Sequence, residues 1–92
     1  MNSQYFIDLA IAAVVAYFND QTDSTDRKIT EKDVYVVWAC KTLQNNKAIL
    51  TTSVSDGAIY EVTWNGDKME AYLDAYKKQK NIVIRSDDFS ET

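Results

Sequence analysis

YVVWACKTLQNNKAIL, residues 35–50, decides the fold, because where this stretch turns sets both the strand register and the face that is buried. Alternation puts Val36, Trp38 and Cys40 on one side. The opposite side reads Tyr35, Val37, Ala39, Lys41 and Leu43, far more apolar than a water-facing side should be. Taking Asn45 and Asn46 as a two-residue hairpin turn, Leu43 faces Ala48, Lys41 faces Leu50 and Ala39 faces Thr52. Taking Asp56 and Gly57 as the next turn, Val54 faces Ile59, Thr52 faces Glu61 and Leu50 faces Thr63. The two turns agree on one three-stranded meander. Its aromatic core face carries Val36, Trp38, Cys40, Ile49, Thr51, Ser53, Tyr60, Val62 and Trp64. The second face holds an apolar stripe, Val37, Leu50, Val54 and Ile59, that a helix or another molecule must cover.

Upstream, residues 3–19 contain no Gly or Pro and are rich in Ala and long apolar side chains, which predicts a helix with Ser3 as its N-cap. At 100° per residue the clearly polar strip runs through Gln4 and Asp8. Phe6, Leu9, Ala10, Ala13 and Tyr17 form a core-facing row, and Ile7, Val14 and Phe18 extend the apolar arc beyond one contact. The polar run at residues 19–28 is a solvated connection, and Thr30 with Asp33 has the spacing to cap one short turn before the first strand.

Downstream, Asn65 and Gly66 end the third strand, and Asp67 with Glu70 reads as a capping box for a second helix. Met69, Tyr72, Leu73 and Tyr76 supply its stripe at i, i+3, i+4 and i+7, and Lys77, Lys78 and Lys80 suit the negative end of its dipole. Ile82, Val83 and Ile84 form a short fourth strand or a packed extension. Residues 86–92 are an acidic tail that Phe89 can pin. The expected fold class is α+β in the order α-β-β-β-α: one domain over residues 1–92, a three-stranded antiparallel meander with an N-terminal and a C-terminal helix.

Ninety-two residues, 46% hydrophobic and 26% charged, is the balance of one soluble domain, with no disulfide or metal needed to hold it. YFIDLAIAAVVAYF is neither a signal core nor a span. Asp8 interrupts it, no basic residue precedes it, and about 20 apolar residues are needed to cross a bilayer. Cys40 reads as a buried thiol of a reducing, cytoplasmic compartment.

With no histidine the commonest general base and metal ligand are absent together, and Cys40 has no base to activate it, so the expectation is a protein that is not an enzyme. No catalytic, cofactor-binding or metal-binding residue is assigned. Asp20, Thr22, Ser24 and Glu31 match calcium-loop positions poorly, with Thr25 where a glycine is needed. Lys77, Lys78, Lys80 and Arg85 beside Tyr76 are the candidate nucleic-acid contacts. The net charge of −4, the pI near 4.6, and Asp87 and Asp88 nearby argue against them. That leaves the spare apolar surface. Ile7, Val14, Phe18, Val37, Leu50, Val54 and Ile59 are the candidate interface of a homodimer or of a complex with a target protein.

DVYVVWACKTLQNNKAILTTSVSDG (residues 33–57) and YEVTWNGDKMEAYLDAYKK (residues 60–78), and more loosely the N-terminal helix, resemble a family of small uncharacterised proteins, a domain of unknown function encoded by phages and prophages of Gram-positive bacteria. The resemblance covers most of the chain and diverges at residues 20–28 and after Arg85. That family carries no assigned active site, so no catalytic role passes to any residue here. What it implies is a phage accessory protein in the bacterial cytoplasm. Such proteins work by binding and redirecting host proteins, and some resemble inhibitors of host defence, where an acidic surface can occupy a nucleic-acid channel.

Overall fold

Asn2, rather than Ser3, caps the first helix: its Oδ1 accepts from the Tyr5 N–H at 2.8 Å, and its carbonyl accepts from the Phe6 N–H at 3.0 Å. Helix α1 spans Ser3–Gln21 in the computed structural model, which describes residues 1–22, 27–54 and 58–88. Its buried residues, Phe6, Ala10, Val14 and Phe18, recur every fourth position and so form a single ridge. Val14 and Phe18 are therefore core, not spare surface. Tyr17 sits at the margin, its ring edge-on to Tyr60 at 6.1 Å between centroids.

The chain is clasped where it returns from α1. The Asn19 amide donates to the Ile29 carbonyl at 2.9 Å and accepts from the Ile29 N–H at 2.8 Å, and Ile29 is buried beneath. Thr30 and Asp33 cap a single 3-10 turn at Glu31–Asp33, as their spacing predicts, with the Thr30 N–H on the Asp33 carboxylate at 2.8 Å. Asp33 then ties the start of the sheet to the far end of its second strand, since its carbonyl accepts from the Ser53 N–H at 2.8 Å.

The Thr30 hydrogen bond, with weaker help from Arg27 and Ser53 against some desolvation, holds the Asp33 carboxyl below its ordinary value. A depressed folded-state pKa means that the stabilisation is present above the unfolded value, about 4, and is lost as pH falls through the lower folded one. Acid titration of the urea midpoint should show this loss, and Asp33→Asn should flatten the slope.

Four strands follow: β1 (Val34–Thr42), β2 (Asn45–Thr52), β3 (Ala58–Asn65) and β4 (Glu70–Lys77). They form one antiparallel sheet in the order β1-β2-β3-β4. The first turn is made by Leu43 and Gln44, with Thr42 opposite Asn45, two residues earlier than the Asn45-Asn46 turn expected from composition. Leu43 adopts φ 55° there, at the first central position, where primed hairpin turns require a positive angle. Asn45 and Asn46 belong to β2 instead, and Asn46 is buried.

Between β2 and β3, Leu50 faces Tyr60 and Ile49 faces Glu61, in place of the expected pairings of Leu50 with Thr63 and Thr52 with Glu61. That odd offset exchanges the two faces of β2 relative to the expectation. The Asp56-Gly57 turn, the Ser24 and Thr25 positions of the calcium-loop match, and Phe89 with the tail beyond it lie outside the described residues.

The second helix is not present; residues 70–77 form β4, paired with β3 along its whole length from Asn65↔Glu70 to Ala58↔Lys77. Tyr72 and Tyr76 share a face at period 3.6 and equally at period 2, so the stripe could not separate the two readings. The turn decides. Asn65 Oδ1 accepts from the N–H groups of Asp67 and Lys68 at 3.0 and 3.1 Å, and Met69 at φ 57° sends the chain back along β3. Asp67 caps nothing; it accepts from the Gln44 amide at 2.6 Å, joining the two turns at this end of the sheet. Residues 82–84 lie in the irregular chain after β4 and do not form a strand, and a short 3-10 turn follows at Ser86–Asp88.

Gly66 is needed at that junction, since a Cβ there would lie 2.2 Å from the Gln44 carbonyl oxygen. Gly66→Ala should destabilise by about 1–3 kcal/mol through overpacking, read as a lower urea midpoint. Helix α1 rests on β1, β2 and β3, and the core between helix and sheet comprises Phe6, Val14, Ile29, Leu50, Tyr60 and Val62 with their smaller neighbours.

Candidate protein-binding face

A β-bulge in β1 answers why residues 35–43 look apolar on both sides. Val36 pairs with Leu50 and Trp38 with Ile49, so Val37 is an extra residue and the alternation changes phase across it. Before the bulge Val34 and Val36 face the helix with Thr52 and Leu50. After it Ala39 and Lys41 do, opposite Ala48 and Asn46.

The register then lays out the other face row by row, since directly opposed residues point the same way. Cys40, Lys47, Thr63 and Tyr72 form one row; Trp38, Ile49, Glu61 and Asp74 form the next. Tyr35 and Thr51, with Ile59 and Tyr76, complete the apolar end. Among the described residues no element packs over these side chains. Trp38 is 50% exposed and Ile59 49%, and Tyr35, Tyr72 and Tyr76 are exposed beside them. Trp38, Cys40, Lys47 and Thr63 also line a shallow groove of about 240 Å³ with Thr42, Asn45 and Asn46.

Three carboxylates frame this surface against one lysine. Lys47 Nζ lies 3.5 Å from Glu61, the Tyr76 hydroxyl donates to Glu61 at 3.5 Å, and the Tyr72 hydroxyl donates to Glu70. The negative charge of Glu61 pushes the Tyr76 phenol up, with desolvation and Asp74 adding to it. The hydrogen bond to Glu70 does the same for Tyr72. Both rings therefore stay neutral donors at physiological pH, anchored to acids.

The residues expected to form the interface separate cleanly. Val14, Phe18 and Leu50 are buried core and cannot meet a partner; Ile7 and Val54 are half-buried against that core. Val37, in the bulge, and Ile59 are exposed. The sequence reading placed Trp38, Cys40, Ile49 and Thr51 inside and missed Tyr72 and Tyr76. The one signal for the correct faces was the opposite parity of Lys47 and Ala48.

Cys40 is exposed, 3.7 Å from the Thr42 hydroxyl, and not a buried thiol, because the bulge turns it outward. Lys77 ends β4, and Lys78, Lys80 and Arg85 follow in irregular chain rather than on a helix. Among the described residues no three His, Cys, Asp or Glu side chains are grouped to hold a metal, and no helix is long and apolar enough to cross a membrane.

Fold and face together define an α+β domain with one helix under a four-stranded sheet whose aromatic outer side stands open. The chain belongs to a family of unknown function, DUF6275, which it matches over residues 7–86. No curated protein and no solved structure matches it.

Proposed function

We propose that this is a phage accessory protein that acts without chemistry of its own, by laying the open sheet face on a host protein. The observation that carries the reading is the apolar patch of Tyr35, Trp38, Ile49 and Ile59, over which no element packs among the described residues. Monomeric proteins rarely leave such a contiguous patch without a partner.

The framing carboxylates and the net charge of −4 favour a cationic target surface, such as the nucleic-acid channel of a host defence protein. The resemblance to phage proteins gives that target its setting in the bacterial cytoplasm. Binding of nucleic acid by Lys77, Lys78, Lys80 and Arg85 next to Tyr76 is the second reading; Glu61, Glu70 and Asp74 on the adjoining face oppose a phosphate chain.

The test is retention of a host protein from bacterial lysate by the wild-type chain and by Trp38→Ser and Ile59→Lys. The proposal requires a partner that excess DNA displaces and that both variants lose. Retention unchanged by the two substitutions overturns it.

A further inference from the structure

The outer edge of β4 and the chain that leaves it are complementary. β4 is an edge strand of eight residues with no glycine, proline or bulge and an unbroken register to β3, the kind of edge that templates another strand. The other edge, β1, carries the Val37 bulge, which impairs such pairing. Directly after β4 runs KQKNIVIR, residues 78–85, with no acidic residue. Its β-branched run is exposed: Ile82 63%, Val83 75%, Ile84 59%. Lys78 and Lys80 make no ion pair among the described residues.

We infer that two copies of the chain pair along β4, each continuing β4 through residues 78–82 as a strand antiparallel to the other's edge, to give one continuous eight-stranded sheet. A two-fold axis beside Tyr76 sets the register. Tyr76 then meets Tyr76 of the second copy, Lys78 faces Asp74, Lys80 faces Tyr72, and Ile82 faces Glu70 beside Tyr72. In this register no like charges are opposed; Lys78 gains a carboxylate and Lys80 an aromatic face. Both edges satisfy their backbone groups at once. Because α1 rests on β1, β2 and β3, the helices do not stand in the way. The Trp38 and Ile59 centre stays uncovered on both copies, so the pairing goes beyond the proposed target binding and does not depend on it.

Light scattering across a dilution series tests this directly. The wild-type chain should be a dimer, and a chain ending at Lys77 a monomer with unchanged circular dichroism. Asp74→Lys and Lys78→Asp should each raise the dissociation constant about ten-fold or more, and the double variant should restore it. In a Cys40→Ser background, Tyr76→Cys should cross-link the dimer on mild oxidation. Tyr72→Cys, displaced by roughly 25 Å from its copy in this register, should not. A monomeric wild type, a dimer indifferent to truncation and charge exchange, or cross-linking through Tyr72→Cys in place of Tyr76→Cys overturns the inference. Dissociation by Ile59→Lys would place the copies face to face instead, overturning the edge pairing while leaving the open face a binding surface.

Discussion

Leu50→Lys leaves the chain unfolded in water, and Leu50→Ala lowers its stability by about 2–5 kcal/mol while preserving the fold. Leu50 is fully buried, paired with Val36 on one side and Tyr60 on the other, under the α1 ridge. An ammonium at that position would have no partner and no water, and a domain of this size holds only about 5–15 kcal/mol in reserve. Truncation to alanine leaves a cavity at the centre of the core, bounded by residues that cannot all collapse into it. Urea unfolding followed by circular dichroism separates the two cases. A folded, cooperative Leu50→Lys with weaker association would return Leu50 to the surface stripe where the sequence alone placed it.

Ile59→Lys and Trp38→Ser should do the reverse: each is expected to shift stability by no more than about 1 kcal/mol and to abolish the proposed target binding. The two side chains lie half in solvent on the open face, so their replacement removes little packing within the chain. At an interface the same groups are the aromatic and aliphatic centre that water leaves last. Truncating such a residue costs about 2 kcal/mol or more, near thirty-fold in affinity. Lysine at position 59 would also stand beside Tyr76 and near Glu61, neutralising part of the acidic frame that the proposed cationic target would meet. Retention on an affinity support, together with urea midpoints for the same proteins, distinguishes loss of contact from loss of fold.

Read in this light, the sequence was most informative where one physical signal acted alone. Residues 3–19 have no competitor to a helix, and Phe6 and Ala10 of its expected inner row are buried, although Val14 and Phe18 continue that ridge in place of Ala13 and Tyr17. Thr30 and Asp33 fixed their turn through spacing alone. The two Asn residues at 45 and 46 misled because turn propensity is a local preference. The pairing of whole strands overrode it: Asn46 is buried opposite Trp64, with its Oδ1 lacking a hydrogen-bond partner, and Leu43 carries the positive φ. EAYLDAYK was ambiguous for a different reason: its tyrosines recur at a spacing shared by helix and strand, and Glu and Ala favour helix only weakly. The edge of β3, with eight residues to pair, outweighed that preference.

By itself, then, the sequence determined an α+β domain, an N-terminal helix, an antiparallel meander running through residues 35–64 with its first turn set two residues too late, and more apolar surface than a single helix can cover. Only the tertiary structure decided which surface that was. The bulge at Val37 and the odd offset between β2 and β3 each reverse a face, and the apolar residues on both sides of 35–43 do not say where the phase changes. Side-chain direction in a sheet has period two, so one inserted residue moves Trp38 and Cys40 from the core to the open side. The bulge is a property of two strands fitted together.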